Sequence, residues 1–523
     1  MTTPRQRAVP GRVTSLLVAA LILVLANLAP AQADSPSFGN DIQIAQTLGD
    51  RELTIVLRRV TSIPGPLRVE AVTHTGTAPG RLAVAAVPLG AAADRPAPGA
   101  PTARGELELA AALGMYGTDL SVDRAGPWEL TLGDGTRVAR IPFAVPAQVV
   151  SPPERLVYGG FLVAGVLLPV SILVAVRARR TAWAALPAGG MVAGVAVAVT
   201  AAVLSASMPL PPQPGVQLDP TVDNLTNPYA QGQPRLSDFS RPPVLLTVEN
   251  GELTAGRPGE VRLALTDAAT GASVDDLLVH DSALMHLLVV GPSGDLLHLH
   301  PIRTGPGRYE AHLTPSSAGR YAVAAELARR GGGVQLVRAA TGLSVGPGAA
   351  AASIEPVRLT AGNTAATTVA DVPVTITTTS PRAGTPTTLT ARFGDRPELQ
   401  PWLGMVGHLI VAGPIADTAD IAAAVRDSPV WGHAHSMGSM PGSAHAGHMS
   451  GMAEPGGGAM LTPVVNGDST PDETVAAYGP DVPFTYTFPA PGRYRVWVQA
   501  ERDYTVLTVP IVVEVAAAEE MPR

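Results

Sequence analysis

Three histidines recur in one order twice along the chain, and imidazole is a side chain well suited to holding a transition metal near neutral pH. In the first copy His286, His298 and His300 lie within 283–301, ALMHLLVVGPSGDLLHLHP, which is an apolar run, a Gly/Pro turn and a second apolar run. The second copy places His408, His433 and His435 in LGMVGHLIVAG and VWGHAHS. Six of the 11 histidines fall in these two sets, so they are read together as candidate ligands. Three neutral imidazoles without carboxylate or thiolate suit copper or zinc and do not suit calcium or magnesium. The stretch from His435, HSMGSMPGSAHAGHMSGM, adds His445, His448, Met437, Met440, Met449 and Met452. Thioethers are soft and favour Cu(I), while imidazole accommodates both oxidation states, so the expected metal is copper, as Cu(I) or Cu(II). A Gly/Ser-rich loop has too few apolar residues to pack, and 433–460 reads as a His/Met-rich, copper-collecting flap.

Bringing the first three rings together requires a β-hairpin in one register. If the turn centres on Ser293, so that Gly291 opposes Asp295, His286 stands level with His300 and diagonal to His298. All three then share one face, with neighbouring Cβ atoms roughly 5–8 Å apart. A slip of one residue would turn His286 to the other face. In the second copy about twenty residues separate the two arms, and no short turn sets their register. Taken singly, His286 and His408 also fit a buried histidine held by backbone hydrogen bonds; the recurrence of the pattern favours metal. His280 and His312 read as surface residues, either of which could supply a fourth ligand.

The hairpins belong to an internal repeat. Val244–Val345 and Val374–Val515 share four anchors in the same order: LTAGRPGEVRLALTD with SPRAGTPTTLTARFGD, SALMHLLVVG with LGMVGHLIVAG, LLHLHP with VWGHAHS, and SSAGRYAVAAEL with APGRYRVWVQAE. Strands at this spacing predict immunoglobulin-like sandwiches. Ahead of them, Asp41–Val145 carries ELTIVLRRV, LRVEAVTHT, RLAVAAVPL, WELTLG and RVARIPFAV between turns, which predicts another small sandwich. Its His74, flanked by threonines, reads as an incidental surface residue, and no chemistry is assigned to this unit.

At 523 residues several domains are required. Only 4% of residues are aromatic, and 54 Gly and 51 Pro imply short strands and many turns. A net charge of −7, with no basic cluster interleaved with aromatics, argues against nucleic acid as a partner. The absence of cysteine excludes thiolate sites and disulfides alike.

Arg5, Arg7 and Arg12, an apolar stretch and Ala31-Gln32-Ala33 read as a cleaved signal peptide, 1–33. No charge occurs in 156–176 or in 181–210, and each run is long enough to cross a bilayer as a helix. Arg177, Arg179 and Arg180 between them place that loop in the cytoplasm and both large flanking regions outside. Neither span holds an ionisable residue, so the pair reads as an anchor without an ion path. Gly190 and Gly194 have the spacing that lets helices approach closely.

The expected fold is thus mainly β, three immunoglobulin-like β-sandwich domains plus a two-helix transmembrane hairpin. Its parts are 34–150, the membrane hairpin 151–210, a linker 211–243, repeat 244–347, a linker 348–373 and repeat 374–516.

The His/Met-rich loop on an exported, cysteine-free sandwich resembles bacterial copper carriers of the CopC type. The GPGRYEAHL and AGRYAVAAEL pattern is similar to YtkA/FixH-like extracytoplasmic domains, over about Val244–Val515. This resemblance implies copper binding or delivery, with a copper-accepting envelope protein or an oxidase assembly factor as partner. The sequence departs from CopC-type proteins at Asp34-Ser35-Pro36, which lacks the leading histidine of their Cu(II) site.

No G-x-S-x-G, H-E-x-x-H or phosphate-cradling loop is present, so no catalytic residue is assigned. The expectation is a membrane-anchored, extracytoplasmic copper-binding protein for homeostasis or delivery. A non-metal envelope scaffold and, further off, a copper redox enzyme are the alternatives.

Overall fold

Short runs of valine, isoleucine and threonine broken by glycine and aspartate turns favour strands. The computed structural model describes residues 41–89, 103–145, 152–206 and 243–518, apart from short breaks and residues 437–472, and over these it is mainly β. The expected signal peptide 1–33, nearly all of the linker 211–243 and most of the His/Met-rich stretch lie outside the described residues.

The first sandwich orders strands Ile42–Leu48, Arg51–Leu57, Gly65–Thr73 and Gly114–Val122 in one sheet. Its second sheet runs Ala103–Leu109, Gly80–Pro88, Gly126–Gly133 and Val138–Val145. Leu53, Ile55, Leu82, Trp128 and Ile141 fill the space between them.

The second sandwich, the first repeat, has one sheet ordered Leu253–Thr254, Leu343–Gly346, Gly319–Arg329, His286–Val290 and Leu296–Leu299. The opposite sheet is Ile302–Gly305, Arg308–Leu313, Gly259–Asp267 and Val244–Glu249. In the third sandwich the matching sheet is ordered Val357–Leu359, Thr505–Val515, Gly492–Arg502, Gly407–Gly413 and Val430–Ser436. It faces Thr364–Val369, Val372–Thr378, Pro386–Phe393 and Asp481–Thr487. The two copies close alike: the Tyr321 hydroxyl donates to Ser317 O and the Tyr494 hydroxyl to Ala490 O, each at 2.8 Å and each four residues upstream. One boundary differs from expectation. Residues 348–373 are not merely a linker, because Val357–Leu359 and Thr364–Val369 each pair into a sheet of the third sandwich.

Strands His286–Val290 and Gly407–Gly413 are buried on both faces. One face of each packs into its own sandwich; the other packs against the partner sandwich. Leu288, Val290, Leu296, Ala322 and Ala324 of the second sandwich meet Ile410, Ala412, Val425 and Trp497 of the third in a separate apolar cluster. Trp497 Nε1 donates to Gly294 O at 2.9 Å across this boundary. The first sandwich then closes one end, with Ala45 N donating to Ser282 O at 2.8 Å, Thr47 N to His300 O at 2.8 Å and Thr75 N to Tyr504 O at 2.7 Å.

Between the first and second sandwiches run helices Pro152–Arg177 and Ala185–Ala206, both long and apolar enough to cross a membrane. Small residues let them touch: a Cβ added at Gly160 would stand 2.6 Å from Gly194 O. Gly194 thus makes the close approach its spacing predicts, whereas Gly190 lies under the Leu167 side chain.

Candidate metal centre

Alternation along a strand sends residues two apart to the same face. His286 therefore continues the row of Leu288 and Val290, and His298 and His300 continue that of Leu296. The turn behaves as its residues predict, with Gly291 N bonded to Asp295 O at 2.9 Å and Gly294 at a φ of +85° that favours glycine. The ladder from Leu287↔Leu299 to Val290↔Leu296 then brings His286 level with His300. In the third sandwich His408 pairs with His435 directly, and His433 lies diagonal. The connection that lacked a turn signal holds a short helix, Ile421–Asp427, capped by Asp420 Oδ1, which accepts from Ala423 N at 2.9 Å.

The sequence pictured one trio of rings in each repeat. The structure places both trios on the faces that pack together, so six imidazoles form one cluster at the sandwich interface. Ring centroids lie 5.3 Å apart for His286 and His433, 5.3 Å for His298 and His433, and 5.5 Å for His298 and His408. His286, His298, His300 and His408 are buried, and the His433 side chain has no exposure; His435, at 17%, is the most open of the six. His445, His448, Met437, Met440, Met449 and Met452 lie outside the described residues.

Acceptor oxygens fix which nitrogen of each ring carries the proton. His286 Nε2 donates to His280 O at 3.2 Å, His298 Nδ1 to Gln499 Oε1 at 2.8 Å and His300 Nδ1 to Glu52 Oε1 at 2.7 Å. Gln499 Nε2 is occupied by Thr508 Oγ1 at 2.8 Å, so its oxygen must face His298. Of the other nitrogens, His286 Nδ1, His298 Nε2 and His300 Nε2, the oxygens behind the rings leave the first two as lone pairs. The first two are 3.1 Å apart, and His300 Nε2 is buried with no hydrogen-bond partner. Holding the far nitrogen of a ligating histidine on a carbonyl, amide or carboxylate is how metal sites orient their rings. His408 follows the same rule, its Nε2 on Trp402 O at 3.4 Å and its Nδ1 3.2 Å from His433 Nε2. Potential ligand atoms of His286, His298 and His300 cluster within 4.8 Å, as do those of His298, His408 and His433, with His298 common to both sets.

Burial, and then the neighbouring imidazoles, push His286, His298 and His408 well below the ordinary histidine range. Burial followed by His433 brings His435 down to about 4, against the pull of Asp281 and Glu326. These rings are therefore neutral at pH 7, the form that ligates metal.

Two histidines expected at the surface are inside. His280, read as a surface residue, is buried against Asp281 and Glu326 of its own sandwich, with His435 of the opposing one beside Asp281. Burial disfavours its charge, but the two carboxylates overcome this and raise it to about 9. His74, also read as surface, is buried where the first sandwich meets the third, 2.5 Å from Glu501 and 3.0 Å from the Thr54 hydroxyl. Its desolvation is outweighed by Glu501 and Glu473, and it too stands at about 9, while burial raises Glu473 to about 7. His312 is half-buried, on the Arg308–Leu313 strand of the opposite sheet, and does not join the cluster. The first sandwich, assigned no chemistry, supplies Glu52 to His300 and Thr47 Oγ1 to the His300 backbone N–H at 3.0 Å.

The repeat alignment holds the signal for the residues that sequence reasoning passed over. Glu326 and Gln499 occupy the same position after the GRY turn, and His280 and Trp402 each precede a strand histidine by six residues. The contacts are exchanged between the copies: His298 of the second sandwich reaches Gln499 of the third, and His433 of the third faces Glu326 of the second, 3.4 Å away. The interface is thus an internal two-fold whose halves carry different side chains.

Comparison with known proteins adds little to this geometry. A family model described as a domain of unknown function (DUF8832) matches residues 440–517, the end of the third sandwich. No curated protein matches the chain. Among solved structures, trypsin-activated alpha-2-macroglobulin from Escherichia coli is similar at 8% identity and a TM-score of 0.15, over 92% of this chain and 24% of that one. The chain thus spans about a quarter of the length of that protein. The Escherichia coli adhesin FdeC aligns at 13% identity and a TM-score of 0.14, over 88% of this chain and 94% of the adhesin. Fibronectin(III)-like modules of Clostridium thermocellum CbhA align at 11% identity and a TM-score of 0.12, over 53% of this chain and 99% of theirs. Likeness this distant carries no activity across to the chain.

Proposed function

We propose that the chain is a membrane-anchored, extracytoplasmic copper-binding protein serving copper homeostasis or delivery. One observation carries the reading. Two imidazole nitrogens left without protons by the oxygens behind their rings, His286 Nδ1 and His298 Nε2, stand 3.1 Å apart in a buried interface, with a potential ligand atom of His300 within 4.8 Å of theirs. Lone pairs that close repel unless a cation lies between them. An all-nitrogen set suits copper, and the methionines beyond His435 favour it over zinc. The resemblance of the His/Met-rich loop on its sandwich to CopC-type carriers, and of the repeat pattern to YtkA/FixH-like domains, points the same way and implies a copper-accepting envelope protein or oxidase assembly factor as partner. The apolar helical hairpin supplies the anchor. Arg177, Arg179 and Arg180 put its loop in the cytoplasm and the sandwiches outside.

The test is titration of the full chain in detergent with Cu(I) against a competing chelator. One tightly held copper per chain is expected, lost on replacing His286 and His298 with alanine. A chain that binds no copper would leave the coarser reading, a β-domain scaffold protein bearing an apolar helical hairpin. Oxidase turnover by the loaded chain would move the reading to a redox enzyme.

A further inference from the structure

Beside the all-histidine set lies a second group of donors with different chemistry. His280 Nε2 is 2.9 Å from Asp281 Oδ2 and 3.3 Å from Glu326 Oε1. On the far side of the interface His433 Nδ1 stands 3.4 Å from Glu326 Oε1, and His435 Nδ1 stands 3.4 Å from Asp281 Oδ2. Two carboxylates and three imidazoles from both sandwiches thus surround one small volume.

Two features separate this group from an ordinary ion-pair network. His280 is 7% exposed and the His433 side chain 0%, yet His280 Nε2 and His433 Nδ1 have no hydrogen-bond partner, although carboxylate oxygens stand this near. His280 carries a proton near neutral pH under the pull of the two carboxylates, so a cation that binds here takes that proton's place and releases it. Ligands at about 2.0–2.1 Å from a tetrahedral ion stand about 3.3–3.4 Å apart, which the His280–Glu326 and His433–Glu326 spacings match, while His280 and Asp281 stand closer, at 2.9 Å.

We propose that His280, Asp281 and Glu326, with His433 completing the set, form a second cation site, and that its class of ligand is a borderline divalent ion such as Zn²⁺. Mixed carboxylate and imidazole donors match zinc, which the all-nitrogen set would have to share with copper. His433 is the common wall. Its Nε2 faces His408 Nδ1 at 3.2 Å in the histidine set while its Nδ1 faces Glu326, so one ring stands between the two sites. Asp281 at 21% exposure and His435 at 17% mark the side from which an ion enters.

The zinc site does not depend on copper occupying its neighbour, and the experiment keeps the two apart. The full chain in detergent is titrated with Zn²⁺ against a chromophoric chelator, before and after copper loading, with metal content measured directly. Asp281→Asn combined with Glu326→Gln should remove one zinc per chain and leave copper content unchanged; His298→Ala with His300→Ala should do the reverse. If the double carboxylate variant holds zinc as wild type does, or wild type takes zinc only where copper is displaced, the second site is refuted. Because the carboxylate variant could disturb packing, zinc-edge X-ray absorption on the wild-type chain gives an independent reading. A mixed oxygen and nitrogen shell supports the site, and nitrogen alone overturns it.

Discussion

Gln499 touches no candidate metal position, yet replacing it with leucine should weaken binding at the histidine set. The side chain is buried, with Oε1 accepting from His298 Nδ1 at 2.8 Å and Nε2 donating to Thr508 Oγ1 at 2.8 Å. Leucine fills a similar volume and offers neither contact. His298 would then bury an N–H without an acceptor, which costs about 1–3 kcal/mol. The ring can relieve this by carrying its proton on Nε2 instead. That nitrogen faces His286 Nδ1 at 3.1 Å, so the proton would take the place of the metal. Loss of such an orienting partner lowers metal affinity about 10–100-fold, which is about 1.4–2.7 kcal/mol. Competition of the purified chain with a Cu(I) chelator measures the shift, and a thermal melt without metal measures the packing cost. Gln499→Glu restores an acceptor, mirrors Glu326 across the interface, and should bind copper at or above the wild-type affinity. Copper affinity of Gln499→Leu equal to wild type, in a chain that melts normally, would show that the amide does not set the His298 tautomer and would refute the reasoning.

Other consequences can be checked separately. His74 stands at about 9, above its ordinary 6.5, so its contribution is complete below about 6.5 and is lost as pH rises through 9. Glu473, raised to about 7, works in the same direction, its contribution fading as pH rises from about 4.5 through 7. Unfolding free energy should therefore fall between pH 6 and 10 by about 3 kcal/mol for the His74 pair, and His74→Gln should flatten that profile in chemical denaturation; an unchanged slope would count against the pair. Trp497→Ala empties a fully buried site between the second and third sandwiches and should cost about 3–5 kcal/mol in chemical denaturation. It should also loosen copper binding, because the ligands come from both sides. Since the chain has no cysteine, single introduced thiols report sidedness cleanly. Ala112→Cys should label with an impermeant maleimide in intact cells and Ala178→Cys only after permeabilisation, and the opposite pattern would invert the topology.

Strand positions and the first hairpin were legible because local residues decide them. Gly291, Pro292, Ser293 and Gly294 fix a short turn, and the turn fixes which histidines share a face. The second hairpin was not legible in register, because its arms are set by pairing within a sheet shared with the distant strand Gly492–Arg502 and by a helix in the connection, neither of which a turn motif announces. His280 beside Asp281 and Ser282 reads as an exposed polar turn, yet it is buried against Glu326, a residue distant in sequence. His74 among threonines reads as the outside of a strand, until Glu473 and Glu501, some four hundred residues away, close over it. One overlooked signal was within reach. HLLVV and GHLIVAG are apolar at every position apart from histidine and glycine, whereas a strand with one wet face should alternate. That pattern announces burial on both sides, and hence a partner for the sheet, before any coordinates are seen.

Duplication within one polypeptide has a consequence that assembly from separate copies does not. Two identical subunits meeting about a two-fold must present the same residues to each other. Both halves would then hold a carboxylate cage, or neither would. Joined in a single chain, the halves were free to diverge: Glu326 and His280 on one side, Gln499 and Trp402 at the matching places on the other. Such a fused pair can keep the shape of a symmetric dimer while giving the two halves of its interface unlike polar linings.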